Sequence, residues 1–145
     1  MVDVQYGCRN RDYPSASTIK HWVRTSLQGQ RPCAELTVRI VGRAEGAKLN
    51  ERWRKQQGPT NVLSFPSGAT PREPALLGDI IVCAPVVKLE AAQQNKDLSA
   101  HWAHMIVHGV LHLLGFDHTR PRDASKMEAQ EIRILQDLGY TNPYL

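Results

Sequence analysis

Hydrophobic and polar positions repeat along this chain with two different periods, and each period predicts a different element. In AELTVRIVG (34–42), Leu36, Val38 and Ile40 fall on one face with period two, which predicts a half-buried strand. VDVQYGC (2–8) alternates in part, NVLSFP (61–66) is short and apolar, and DIIVCA (79–84) is short and β-branched. These three are expected as strands too. Elsewhere the spacing is helical. Ile19, Trp22, Val23 and Leu27 share a face of SASTIKHWVRTSLQ, and Leu49 and Trp53 stand four apart in AEGAKLNERWRKQ. Pro85 suits the first turn of a helix running through VVKLEAAQQN. Ser99 is expected as the N-cap of AHWAHMIVHGVLHLL, and Gly115 stands where a helix-ending glycine belongs. DASKMEAQEIRILQDL is expected as a last helix ending at Gly139. PSGATPREPALLG (66–78), with three prolines and two glycines, is expected as one surface loop.

The resulting order, β-α-β-α-β-β and then three helices, argues for a small mixed sheet covered by helices. It leaves the strand pairing open. With no repeat, low-complexity tract or linker, residues 1–145 are expected to form a single domain.

Composition narrows the function classes. Hydrophobic residues make up 41%, enough for a core, which excludes global disorder. A net charge of +4 and a pI near 9.2 permit a nucleic-acid or ribosomal partner without requiring one. Cys8, Cys33 and Cys83 are odd in number and form no CxxC pair. That argues against a disulfide framework and a cysteine zinc site, and it suits a reducing cytosol. Cys83, inside IIVCA, is expected as a small buried hydrophobe. The N-terminus lacks the pattern of a signal peptide, and no apolar run of about 18 residues exists to span a membrane. The expectation is a cytoplasmic protein without a membrane segment.

The chemistry concentrates in HGVLHLLGFDH (108–118). His108 and His112 are four apart on an expected helix, so one face offers a metal two ligands. Gly115 lets the chain turn, and His118 can fold back as a third. Three neutral imidazoles with one open position make a catalytic rather than a structural zinc arrangement. His104, one turn earlier, is expected either behind the ligands or on the substrate side, and His101 in solvent. For both, an ordinary exposed or core-edge histidine is an equal reading. Asp117 can orient a ligand ring or make an Asx turn.

The spacing H-x-x-x-H-x-x-G-x-x-H is that of the metzincin peptidases, with one change. The glutamate that follows their first histidine and acts as general base is here Gly109. Glycine moves no protons, so peptide hydrolysis by that route is disfavoured. Phosphodiester cleavage needs a metal-activated nucleophile and a cation for the phosphorane-like state. The densest source of cations is LNERWRKQQGPTNVLSFP (49–66), where Arg52, Arg54 and Lys55 end a helix. Charges there can equally just offset the helix dipole.

These two segments together resemble the YbeY family of bacterial rRNA maturation factors. The resemblance runs through His108-Gly109, Leu111-His112-Leu113 and Gly115-Phe116-Asp117-His118. It continues through Trp53-Arg54, Pro59 to Pro66, Leu77 to Ile80, Leu138 to Tyr140 and Pro143-Tyr144. It covers most of the chain after about residue 49 and leaves the N-terminal third without a likeness. It implies an α+β fold, with a mostly parallel sheet of about four strands packed with about five helices around a three-histidine zinc site. It implies a metal-dependent, single-strand-specific endoribonuclease acting in 16S rRNA 3′-end processing and ribosome quality control. The family's zinc ligands carry over onto His108, His112 and His118, one Zn2+ per chain, and its arginine onto Arg54. Single-stranded rRNA and the small ribosomal subunit or its proteins are the implied partners. Two departures stand near Arg54: Gln56 and Gln57 replace the family's Lys-Asp, and Trp53 replaces its tyrosine.

The general base stays unassigned, with Asp79 and Asp117 as candidates. The attacking group stays open between a zinc-activated hydroxide and the RNA 2′-OH. The alternatives are a zinc peptidase or hydrolase, supported by the spacing and opposed by Gly109, and a non-catalytic ribosome-assembly factor with structural zinc. Three imidazoles also suit copper or nickel.

Overall fold

The structure is a computed structural model that describes residues 1–9, 12–68 and 70–145. Its elements in chain order are β1 (Val2–Tyr6), α1 (Ala16–Leu27), β2 (Glu35–Val41), α2 (Arg43–Arg54), β3 (Val62–Pro66), β4 (Leu76–Cys83), α3 (Ala84–Gln93), α4 (Leu98–Leu113) and α5 (Pro121–Asp137). The sheet order is β1-β2-β4-β3. β1 and β2 pair in parallel, as do β2 and β4, while β3 runs antiparallel to β4 at the edge. The fold is therefore α+β with a mostly parallel sheet, as the resemblance implies.

β4 explains why the sheet reads as an apolar run. Its alternate residues Ile80 and Val82 enter the main core with α1, α4 and α5. Ile81 and Cys83 join Val41, Leu63 and Leu49 of α2 in a smaller core on the other face. From Ile80 to Cys83 both faces are covered, so that stretch carries no charged or amide side chain. β4 also begins earlier than expected. Leu76 to Gly78 belong to it because they pair with Glu35, Leu36 and Pro66. Ala69 of the expected loop lies outside the described residues.

α4 is the central helix. Eleven of its 16 residues are buried, and it touches α1, α3, α5, β3 and β4. It has no wet stripe, which is what a helix packed on all sides requires. Its N-cap is Asp97 rather than Ser99: the Asp97 carboxylate accepts the Ala100 N–H at 3.0 Å. The helix starts at Leu98, which leaves Ser99 in the first turn with its hydroxyl 3.0 Å from that of Tyr140. Asp caps as well as Ser does, so sequence alone does not rank the two. The other end closes on Gly115, whose φ is +102°. The Gly115 N–H donates to His112 O and the Phe116 N–H to Leu111 O, each at 3.0 Å. This is a Schellman termination.

α4 sits flush on the sheet at Gly109. A Cβ built there would lie 2.9 Å from Ile80 Cγ2, and the Ser64 hydroxyl of β3 donates to the Gly109 carbonyl at 3.1 Å. Gly109→Ala therefore forces Ile80 or the helix to move. The expected cost is about 1–3 kcal/mol from overpacking, set against about 1 kcal/mol gained in helix propensity. Net destabilisation in guanidinium unfolding is the expected result. A variant more stable than the parent would contradict the close seat.

Candidate metal centre

α4 presents His108 and His112 from its last two turns, and the Schellman turn brings His118 back beside them. Asp117 fixes that loop. Its carboxylate accepts the His118 N–H at 2.7 Å, the Thr119 N–H at 3.3 Å and the Thr119 hydroxyl at 2.9 Å. The Thr119 hydroxyl and then the His118 amide hold the Asp117 carboxyl below its ordinary range. The Asx-turn reading of Asp117 is the one the geometry carries.

The ring centroids are 5.0 Å apart for His108–His112 and His112–His118, and 5.4 Å for His108–His118. One nitrogen of each lies within 4.8 Å of the others. His112 Nε2 stands 3.1 Å from His118 Nδ1, close to the roughly 3.3 Å that two nitrogen ligands on a tetrahedral zinc would span. Burial, and then repulsion from His108 and His118, push the His112 imidazole down from its ordinary value. It is thus neutral at neutral pH, the form that ligates. Among the described residues the group holds three imidazoles and no fourth donor, which fits a divalent cation with room left for a reactant.

Arg54, the last residue of α2, lines the same cleft, a space of about 420 Å³ that also holds Asp117 and the three histidines. Its Nη2 donates to the Ser64 carbonyl at 3.4 Å. The cleft straddles the edge strand. From β3, Ser64 contacts α4, whereas Phe65 meets Trp53 of α2 edge-on at 6.4 Å between centroids. Trp53 is 58% exposed, with the Arg52 guanidinium 5.1 Å from its ring centre. Of the two departures beside Arg54, Gln56 lines the cleft and Gln57 does not. Asp79 does not line it either. It is exposed on β4, opposite Thr37 and Phe65.

His101 is not in solvent. It is 4% exposed, with Nε2 3.0 Å from Glu90 Oε1. Glu90 also accepts both 3.2 Å contacts from the Asn61 amide, on the cleft wall. Only packing of α3 on α4 brings this acid to the histidine. His104 is buried behind His108, with Nε2 2.5 Å from Glu131 Oε2. Glu131 was not anticipated, although a signal exists: it interrupts the buried stripe of Met127, Ile134 and Leu135 on α5. Burial opposes its ionisation, but hydrogen bonds from His104 and His108 outweigh that and hold the carboxyl at about 2.

An α+β fold, with three histidines that could hold a metal ion and an arginine lining the same open cleft, defines a class of fold with a candidate metal site and a cation beside it. Residues 7–139 match the family described as endoribonuclease YbeY. The chain belongs to that family, and the match includes the N-terminal third that the sequence motifs left without a likeness. The family's general role is metal-dependent RNA cleavage in rRNA processing. The fold is also that of TM1509 from Thermotoga maritima, solved in solution. The two share 24% identity and a TM-score of 0.69, over 95% of this chain and 89% of that one. Among the described residues no helix is long and apolar enough to cross a membrane.

Glu131 makes the fold sensitive to acid. Its folded value of about 2 lies below the usual 4.5, so its contribution is present above pH 4.5 and is lost as the pH falls towards 2. Unfolding of the parent beside Glu131→Gln should show a stability gap that narrows across that window. A gap constant with pH would contradict an ionised Glu131.

Proposed function

We propose that residues 1–145 form one zinc-dependent endoribonuclease domain that cuts single-stranded rRNA, with the 16S 3′ end as substrate and a role in ribosome quality control in the cytoplasm. In this reading His108, His112 and His118 hold one zinc ion and Arg54 binds the scissile phosphate. The observation that supports it is the shared cleft: Arg54 and the three histidines face one space from opposite sides of β3. Zinc, when bound, would supply Lewis-acid chemistry that favours attack by either candidate nucleophile at neutral pH. Arg54 supplies a planar, permanently charged fork that matches two phosphate oxygens and stabilises the charge that grows on them. The net charge of +4 favours a polyanion over a peptide. The choice of 16S rRNA, single strands and the small subunit as partner rests on the family likeness.

The absent glutamate fits this reading. A Cβ at position 109 would press on the Ile80 side chain, so a residue larger than glycine is crowded there. A peptidase built on that base is thus disfavoured by space as well as by residue type.

The test is cleavage of a single-stranded RNA carrying the 16S 3′ end by zinc-loaded parent, His112→Ala and Arg54→Ala, all purified identically. The parent should cut and His112→Ala should not. Arg54→Ala should lose about 10²–10³ in rate with its zinc content unchanged. Equal cleavage by all three, or by none, would sink the proposal. Product ends decide the attacking group, because a 2′,3′-cyclic phosphate requires the RNA 2′-OH.

A further inference from the structure

Glu131 is a negative charge inside the core. It is 1% exposed, and a buried carboxylate is costly unless it is paired and hydrogen-bonded. Among the described residues three side chains meet it. His104 Nε2 lies 2.5 Å from Oε2, and the Tyr144 hydroxyl donates at 2.8 Å to Oε1 and 3.0 Å to Oε2. His108 Nδ1 lies 3.5 Å from Oε1. His104 and His108 are one turn apart on α4, so one carboxylate spans both. Of these partners only His108 belongs to the histidine group in the cleft.

We propose that Glu131 is a positioning residue for the metal centre: it sets the tautomer and ring orientation of His108, while His104 and Tyr144 hold the carboxylate in place. A carboxylate only accepts, so the imidazole nitrogen facing it carries the proton. With Nδ1 of His108 turned to Glu131, Nε2 keeps its lone pair for a metal. His104 stands outside the cleft group by position: it is buried and does not line the cleft. Its Nε2 donates to Glu131, and among the described residues its buried Nδ1 meets no hydrogen-bond partner. Tyr144 comes from the chain beyond α5, so docking of that segment is tied through Glu131 to the metal site. The inference rests on the metal reading of His108, His112 and His118.

The experiment measures affinity for zinc alone, by competition with a chromophoric chelator, together with the visible spectrum of the cobalt-loaded protein. Glu131→Gln should bind zinc about 10- to 100-fold more weakly and shift the cobalt bands. Tyr144→Phe removes one hold on the carboxylate and should weaken zinc binding about 2- to 10-fold. Folded variants with parental affinity and parental spectra would overturn the inference, including when their stability has dropped. If Glu131→Gln does not fold, Tyr144→Phe decides by the same readouts. A parent that binds no zinc overturns the metal reading and this inference with it. A zinc-binding parent with indifferent variants overturns the inference alone.

Discussion

The seat of α4 on the sheet at Gly109 is the contact on which the site depends. Because no Cβ intervenes, the helix rests against Ile80 and its carbonyl takes the Ser64 hydroxyl. That contact fixes the height of α4 over β3 and so aims His108 and His112 past the sheet edge. Arg54 arrives from α2, packed on the other face, and also meets Ser64. One edge-strand residue therefore registers both walls of the cleft. The residue that removes a peptidase's base is the residue that brings the two walls together.

Behind the cleft, the polar residues of α4 are wired rather than solvated. His101 is held by Glu90, which also holds Asn61 of the cleft wall. His104 is held by Glu131, which stands beside His108. Two glutamates from two helices thus buttress two parts of one site. Such networks are costly when half made, because each buried group then lacks a partner in a medium of low dielectric. Where the groups are paired, they restrict side-chain choice, and a metal centre needs that restriction.

Much of the fold was legible because period and pattern are local. The alternation of Leu36, Val38 and Ile40 marked β2, and the spacing around Ile19, Trp22 and Val23 marked α1. The histidine triplet was legible for the same reason, since i, i+4 and a glycine turn are short-range geometry. Arg54 was not legible from position alone, because a helix C-terminus collects cations anyway. His101 was misjudged because Glu90 reaches it only through packing of α3 on α4. Glu131 was missed although a charge on the stripe of Met127, Ile134 and Leu135 marks a buried ion in need of partners. Its partners lie on α4 and at Tyr144, and pairing of that kind is a property of the tertiary fold.

In the proposed centre His108, His112 and His118 bind one metal ion and leave a coordination position free. X-ray absorption at the zinc edge of the loaded protein tests it most directly. The expected shell is three imidazole nitrogens at about 2.0–2.1 Å and a remaining oxygen ligand that a phosphate analogue displaces. A shell containing sulfur, fewer than three imidazoles, or a fourth protein ligand that phosphate leaves in place would contradict it.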